Sequence, residues 1–174
     1  ENEAPPREPM QRIRFRIGRH GEARLLSHLE LQSAWIRTLR RAGAPLAYSR
    51  GFHAHPKLNF ATAAPLGEAS EGDYMDVLLD AVVRPEPLLA RVRATLPPGF
   101  EAYDAEDVPL RGASLMSLAE GFQYRIHTAA APDTVAARID DLLNADELTV
   151  DRKMKVGKRQ IGRASCRERV CVGV

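Results

Sequence analysis

Apolar and polar residues alternate along residues 11–17, near the start of the chain. Ile13, Phe15 and Ile17 fall on one side of an extended backbone, and arginines fall on the other side. Alternation with a period of two is typical of a strand that is buried on one face. The pattern therefore predicts a half-buried strand here.

A helical pattern follows. Ser27 and Glu30 have the Ser-x-x-Glu spacing of a capping box, in which two backbone amides at a helix start are satisfied reciprocally. Apolar residues at helical spacing then continue over residues 27–42. Gly43 and Pro45 are residues that end helices. The pattern therefore predicts one amphipathic helix directly after the first strand.

The same two periods predict the next elements: strands at residues 58–63, 74–83 and 100–108, and a helix at residues 85–96. The resulting order is β-α-β-β-α-β, which is the order of a ferredoxin-like sandwich. In that fold two helices cover one face of a sheet and leave the other face open. We therefore predict an α+β fold with a ferredoxin-like domain over residues 10–109.

Alternation and helical spacing begin again after Pro109. They predict a strand at residues 121–128, a helix at 133–144 and a strand at 147–156. This succession resembles the first three elements of a second, similar domain. We predict a partial second α+β unit over residues 110–159.

Both ends of the chain differ from the rest in composition. Residues 1–9 are polar and proline-containing, and they are expected to be a linker or an upstream extension. Residues 160–174 show no apolar periodicity and resemble the read-through translation of a sequencing adapter, so we expect a non-native tail. Cys166 and Cys171 both lie in this tail, and the preceding residues contain no thiol for an iron–sulfur cluster or a cysteine nucleophile.

The composition is that of a globular protein, with 44% hydrophobic and 28% charged residues. No apolar run approaches the roughly 18 residues of a membrane helix, and the start lacks a secretory pattern. We expect a cytoplasmic protein without a membrane partner. Charge is uneven along the chain: residues 1–60 carry 11 basic and 5 acidic side chains, whereas residues 61–150 carry 6 and 16. The basic surface is therefore expected in the first third.

The segment ahead of the second strand is the densest in functional side chains. It combines cations, two histidines, an aromatic ring and a glycine that permits a tight turn. Three interpretations stay open: a loop whose phenylalanine plugs the core, a site for an anion such as phosphate or RNA, or a metal site built from its histidines and His28. The candidate ligand- or RNA-binding residues are His28, Ser49, Arg50, Gly51, Phe52, His53, His55 and Lys57.

Arg12, Arg14 and Arg16 form a basic row on the polar face of the first strand. That strand is central in a ferredoxin-like sheet, so the row would lie where sheet-face RNA binders place their contacts. Asp76 and Asp80 on the predicted third strand would share this face, and cross-strand pairs with them would use part of the charge. The paired arrangement is slightly favoured over the RNA platform.

Sequence motifs of self-sufficient enzymes are missing. There is no phosphate-binding loop, no dinucleotide-binding glycine pattern, no nucleophile elbow and no zinc-protease motif. Ser27 precedes His28, but its hydroxyl already has a capping role. We therefore predict no catalytic residue, no metal ligand and no cofactor for this chain on its own.

Five short segments occur in a fixed order: LSHLE at 26–30, RAGAP at 41–45, SRGFHAHPKLNF at 49–60, PLG at 65–67 and EGDYMD at 71–76. Their succession resembles one known family, the radical SAM-linked proteins, whose domain of unknown function is encoded beside or fused behind a radical SAM protein. The resemblance covers Met10 to about Arg159. Because members resemble one another beyond Gln160, it implies a truncated copy.

This resemblance implies a radical SAM protein as partner and an accessory role in RNA or ribosome-related modification. With the basic residues it favours a substrate-binding domain, for RNA, that performs no chemistry itself. Two alternatives remain: an enzyme acting on RNA by metal or acid/base chemistry with His28, His53 and His55, and a domain that docks the radical SAM protein.

Overall fold

The structure is a computed structural model, in which two compact units, Glu1–Ala119 and Glu120–Val174, are distinguished. The residues that it describes are 8–63, 65–145, 151–153 and 158–160. The predicted linker at 1–9 and the predicted tail at 160–174 lie almost entirely outside them. In the described part of the chain, no helix combines the length and the apolar character needed to cross a bilayer.

The first unit contains a four-stranded sheet with the strand order β2-β3-β1-β4, in which all neighbours are antiparallel. This is the strand order of a ferredoxin-like sheet, and the predicted α+β fold is confirmed. Its elements are β1 (Gln11–Arg19), a 3₁₀ helix (Gly21–Leu25), α1 (His28–Arg41), β2 (Leu58–Phe60), β3 (Ser70–Leu79), α2 (Pro85–Thr95), β4 (Phe100–Val108) and α3 (Leu115–Leu118).

The core lies between one face of this sheet and the helices α1 and α2. Phe15 on β1 and Met75 on β3 are paired across the sheet and fully buried. Trp35 of α1 is also buried and meets Phe100 edge to face, with ring centroids 5.8 Å apart. Burial of these large apolar side chains is the main force that holds the helices on the sheet.

The ends of α1 are fixed by local hydrogen bonds. Ser27 N donates to Glu30 Oε2 at 2.8 Å, and Glu30 N donates to Ser27 Oγ at 3.4 Å, so the predicted capping box is confirmed. At the other end Gly43 has a φ of 67°, which turns the chain. Ala44 N then donates to Leu39 O at 3.0 Å, the closing hydrogen bond of a Schellman motif.

The strand boundaries differ from those predicted. The third strand was predicted at 74–83 but spans Ser70–Leu79, and the second ends at Phe60 instead of residue 63. After Leu79 the backbone leaves the ladder, because Asp80 N donates to Pro45 O at 2.9 Å. The start is earlier because the polar residues 70–73 pair with the end of β1. Pairing, which a single segment's pattern does not show, sets both limits.

The second unit contains α4 (Pro132–Asn144) and a two-stranded antiparallel ladder of β5 (Asp151–Lys153) with β6 (Lys158–Gln160). The predicted helix at 133–144 is confirmed. Most of the strand predicted at 147–156 lies outside the described residues, and β5 is its described part.

The strand predicted at residues 121–128 is wrong. The structure describes all of these residues, and none belongs to a strand. Phe122, Tyr124 and Ile126 alternate as predicted but are exposed. A strand needs a neighbouring strand for its backbone N–H and C=O groups, and none of the strand ladders in the described part of the chain includes this segment. Alternation alone therefore does not make a strand here.

Candidate functional site

Two of the three arginines in the basic row converge on one carboxylate. Arg14 lies directly opposite Asp76 in the β1–β3 ladder. Arg12 Nε donates to Asp76 Oδ2 at 2.8 Å, and Arg14 Nε donates to Asp76 Oδ1 at 2.9 Å. The side chains of Asp76, Arg12 and Arg14 are only 2%, 11% and 15% exposed. The paired arrangement is confirmed for these two arginines, whereas Asp80 makes no ion pair among those that the described residues show.

The hydrogen bond from Arg14 to Asp76 raises the pKa of Arg14 above its ordinary value, since it stabilises the charged guanidinium, and burial partly opposes this effect. Both guanidiniums are thus committed inside the protein. They retain little freedom to bind a phosphate.

The segment after β4 covers part of the same face. Arg12 Nη2 also donates to Ala113 O at 3.0 Å. Leu115, the first residue of α3, is buried, and α3 packs against β3. The α3 helix was not predicted, because an element of only four residues is too short to show a helical period. Its presence closes one end of the face that was predicted to be open.

Arg16 is the exposed member of the row. Its guanidinium lies 5.2 Å from the centre of the Tyr103 ring, a distance that permits a cation–π contact. It also donates to Glu71 O at 3.4 Å. Burial, together with a hydrogen bond to Glu101, raises the pKa of Tyr103 to about 12, so this ring stays neutral at physiological pH.

Residues 47–57 form a hairpin, which we call the 47–57 hairpin. Its stem is held by hydrogen bonds across the two arms: Ser49 N donates to His55 O at 2.8 Å, and Lys57 N donates to Ala47 O at 2.8 Å. His55 N donates in turn to Ser49 Oγ at 3.0 Å. The candidate residues Ser49, His55 and Lys57 therefore build and flank the stem.

The stem is attached to the sheet. Ala47 N donates to Leu78 O at 2.9 Å, and Leu78 N donates to Lys57 O at 3.0 Å. The base of the hairpin thus continues the hydrogen bonding of β3. Its tip, residues 50–54, is consequently held at a defined place beyond the sheet.

The tip exposes its aromatic ring completely. Phe52 has a relative exposure of 104%, and the interpretation in which it plugs the core is wrong. Gly51, with a φ of 133°, allows the turn before it. The His53 ring lies edge-on to Phe52 at 6.5 Å between centroids, and Arg50 forms an exposed ion pair with Glu8. The tip therefore combines one fully exposed ring with a cation and an imidazole.

His28 lies apart from the tip. It is the first residue of α1, its ring meets Phe60 edge to face at 5.4 Å, and it lines a cavity of about 330 Å³. Its Nδ1 atom is buried without a hydrogen-bond partner. No group of three His, Cys, Asp or Glu side chains that could hold a metal occurs in the described parts of the chain. Thus His28, His53 and His55 are not brought together as the metal interpretation requires.

Sequence patterns did not indicate that Arg19 is buried. Arg19 is 4% exposed, and its Nε and Nη1 atoms have no hydrogen-bond partner, while Nη2 donates to Pro65 O at 3.0 Å. A β-bulge between Ile17 and Arg19 shifts the register. Gly18 was the available signal, because glycine inside a strand marks bulges and close contacts.

A half-buried carboxylate lies near Arg19. Burial raises the pKa of Asp73, although a hydrogen bond from Tyr74 N and the charges of Arg19 and His28 oppose this shift. Burial likewise lowers the pKa of Arg19. Both shifts have the same physical cause, the partial removal of the charged group from water.

The candidate binding residues fall within the part of the chain that matches one protein family. The family described as "uncharacterized protein conserved in bacteria (DUF2344)" matches residues 12–171. The chain belongs to the DUF2344 family. The Arg12–Arg14–Asp76 cluster, the 47–57 hairpin and the cavity beside His28 are therefore all parts of a DUF2344 domain.

The DUF2344 match extends through most of the predicted tail, whose non-native origin stays a prediction. The family description names neither an activity nor a partner. No curated protein matches the chain.

Proposed function

We propose that this DUF2344 protein is an accessory substrate-binding domain that holds RNA for a radical SAM enzyme, which performs the chemistry. The observation that carries the proposal is the fully exposed Phe52 at the tip of an anchored hairpin, with Arg50 and His53 beside it.

A fully exposed phenyl ring gains nothing on folding, so a partner that covers it can still bury its apolar surface. Burying such a side chain contributes about 1.5–3 kcal/mol, which Phe52 forgoes in the free protein. Unpaired RNA bases stack on aromatic side chains, and neighbouring cations contact the backbone phosphates. Arg50 at the tip of the hairpin and Lys57 at its base supply those cations. Because the stem is already ordered, little conformational entropy is lost on binding.

The hairpin supports RNA binding better than the sheet face does. Arg12 and Arg14 are engaged with Asp76, and α3 packs on the same sheet. Arg16, stacked on Tyr103, is left as an exposed cation of the basic row. We propose that it makes a secondary phosphate contact.

The radical SAM partner is supported by the ordered motifs between residues 26 and 76, which resemble radical SAM-linked proteins. The proposal of RNA as the substrate includes a cytoplasmic location for the protein. The partnership is tested by co-expressing the two proteins and measuring co-purification. Failure to co-purify, with both proteins folded, contradicts the partnership.

RNA binding is tested by titrating the full chain into a labelled single-stranded RNA and recording fluorescence anisotropy. Phosphate contacts release counterions, so the affinity of the wild type should fall steeply as salt rises. Phe52→Ala should weaken binding about tenfold, the effect of losing one base stack of about 1–3 kcal/mol. Phe122→Ala, which removes another exposed phenylalanine, should leave binding unchanged.

Absence of binding by the wild type at low salt overturns the RNA proposal. If Phe52→Ala leaves RNA binding intact but abolishes co-purification with the radical SAM enzyme, Phe52 anchors a protein and the domain is a docking module.

A further inference from the structure

A cavity of about 330 Å³ is lined in part by β2. This strand follows Lys57, the last residue of the 47–57 hairpin, directly in the sequence. The start of α1, residues 61–63 and α3 complete the lining. The side chains that matter below are His28, Gln32, Asn59, Phe60, Thr62 and Met116.

The lining is polar but carries no acidic side chain, lysine or arginine. Without a cation, the cavity is poorly suited to phosphate or a carboxylate. Without a carboxylate, it is poorly suited to a metal ion or an amine. A neutral ligand with hydrogen-bonding groups fits this chemistry better.

Several polar groups at the cavity are free to bind such a ligand. The side chains of Gln32, Asn59 and Thr62 make no hydrogen bond within the described part of the chain, and His28 Nδ1 is buried without a partner. A buried polar atom without a partner is uncommon and costs free energy. Each side-chain amide offers a donor and an acceptor together.

The remaining lining is suited to a flat apolar surface. The Phe60 ring contacts the His28 ring edge to face, with an interplanar angle of 74°. Met116 of α3 adds a polarisable thioether, which packs favourably against aromatic rings. The cavity volume lies at the lower end of the range of small-ligand pockets, about 300–1,000 Å³.

We propose that this cavity binds one unstacked nucleobase, with the amides of Gln32 and Asn59 contacting its hydrogen-bonding edge and Phe60 and Met116 contacting its faces. Asparagine and glutamine recognise base edges in this manner, and proteins take single bases out of a strand into such pockets. For a base within RNA the inference rests on the proposed function, and it adds that the site distinguishes between bases. A free nucleoside offers the same chemistry.

The test has two arms on the full chain. The first measures binding of the four uncharged nucleosides by saturation-transfer NMR, which needs no phosphate contact. The second measures anisotropy with a single-stranded RNA and with the same RNA carrying abasic positions. The variants are Gln32→Ala and Asn59→Ala in the cavity, Phe52→Ala at the hairpin tip, and Gln123→Ala as a matched amide control in the second unit.

We expect unequal binding of the four nucleosides, and loss of that preference in Gln32→Ala and Asn59→Ala. In RNA, each cavity variant should weaken binding about tenfold, the usual cost of leaving a buried hydrogen bond unmade. The same variants should not alter binding of the abasic RNA, and Gln123→Ala should behave as the wild type. Thermal unfolding shows whether the variants remain folded.

The outcomes separate the two proposals. If Phe52→Ala weakens RNA binding while both cavity variants bind nucleosides and RNA as the wild type does, the cavity proposal is overturned and the proposed function stands. If RNA does not bind but nucleosides do so in a Gln32- and Asn59-dependent way, the cavity is a free-nucleoside site and the proposed function fails. If neither ligand binds, both fail.

Discussion

Replacing Asp76 by asparagine tests the buried charge cluster at the centre of the sheet. Asp76 is the shared acceptor of Arg12 and Arg14 and is almost completely inaccessible to water. The substitution keeps the size of the side chain and one carbonyl acceptor but removes the negative charge. Two guanidiniums are then left close together without the carboxylate that they share.

The expected loss follows from the burial of the three side chains. An exposed ion pair contributes about 0–1 kcal/mol, because water screens it. Removal of one partner of a buried pair costs about 3–5 kcal/mol, because an uncompensated charge stays buried. With side-chain exposures of 2%, 11% and 15%, the Arg12–Arg14–Asp76 cluster counts as a buried ion pair. Both arginines lie on the outer face and can turn towards solvent, so we expect the lower end, about 3 kcal/mol.

The assay is urea unfolding followed by circular dichroism, with a thermal melt beside it. A loss of about 3 kcal/mol should lower the midpoint of thermal unfolding by about 10 °C for a domain of this size. Asp80→Asn is the matched control, since Asp80 follows the same strand and makes no described ion pair. It should change the free energy of unfolding by no more than about 0.5 kcal/mol. Equal effects of the two substitutions would refute the reasoning.

Two further predictions concern stability. Burial raises the pKa of Asp73 above its ordinary value of 3.8, so the folded state favours the protonated form. The contribution of Asp73 to stability is therefore greatest below pH 3.8 and falls as the pH rises through the folded pKa. Asp73→Asn should therefore stabilise the protein at neutral pH, and the gain should shrink as the pH is lowered towards 3.8. Urea unfolding of both proteins at several pH values measures this gain. A gain that does not change with pH would exclude ionisation of Asp73 as its cause. Ser27→Ala should lower the free energy of unfolding by about 1 kcal/mol through loss of the helix cap. Ser33→Ala, at an exposed position within α1, is its control, and equal losses in the two variants would argue against a capping effect.

Features that depend on neighbouring residues in the sequence were predictable. The capping box of Ser27 and Glu30 is a local motif, and the sequence alone located it. Pairing of the arginine row with Asp76 was also foreseen, because the order of the elements predicts which strands are neighbours and alternation predicts the side on which each residue lies; the pairing predicted with Asp80 is not among the described ion pairs. The residues of the 47–57 hairpin were recognised as a group for their composition.

Features that depend on distant contacts were not predictable. Alternation predicted a strand at residues 121–128, but none of the strand ladders in the described residues includes this segment. At the bulge after Ile17, Gly18 lies so close to Tyr103 that a side chain at this position would clash with the ring, a contact between distant parts of the chain. Composition also left open whether Phe52 would fill the core or face solvent. That choice depends on how completely other side chains fill the core.

The central claim is that RNA contacts the 47–57 hairpin, and photocrosslinking tests it most directly. A single-stranded RNA substituted with thiouridine is irradiated with the full chain at low salt, and mass spectrometry locates the crosslinked peptides. Crosslinks are expected within residues 47–57, including Phe52, and they should disappear at high salt because the phosphate contacts are screened. Crosslinks confined to other parts of the chain, such as α4, would contradict the central claim.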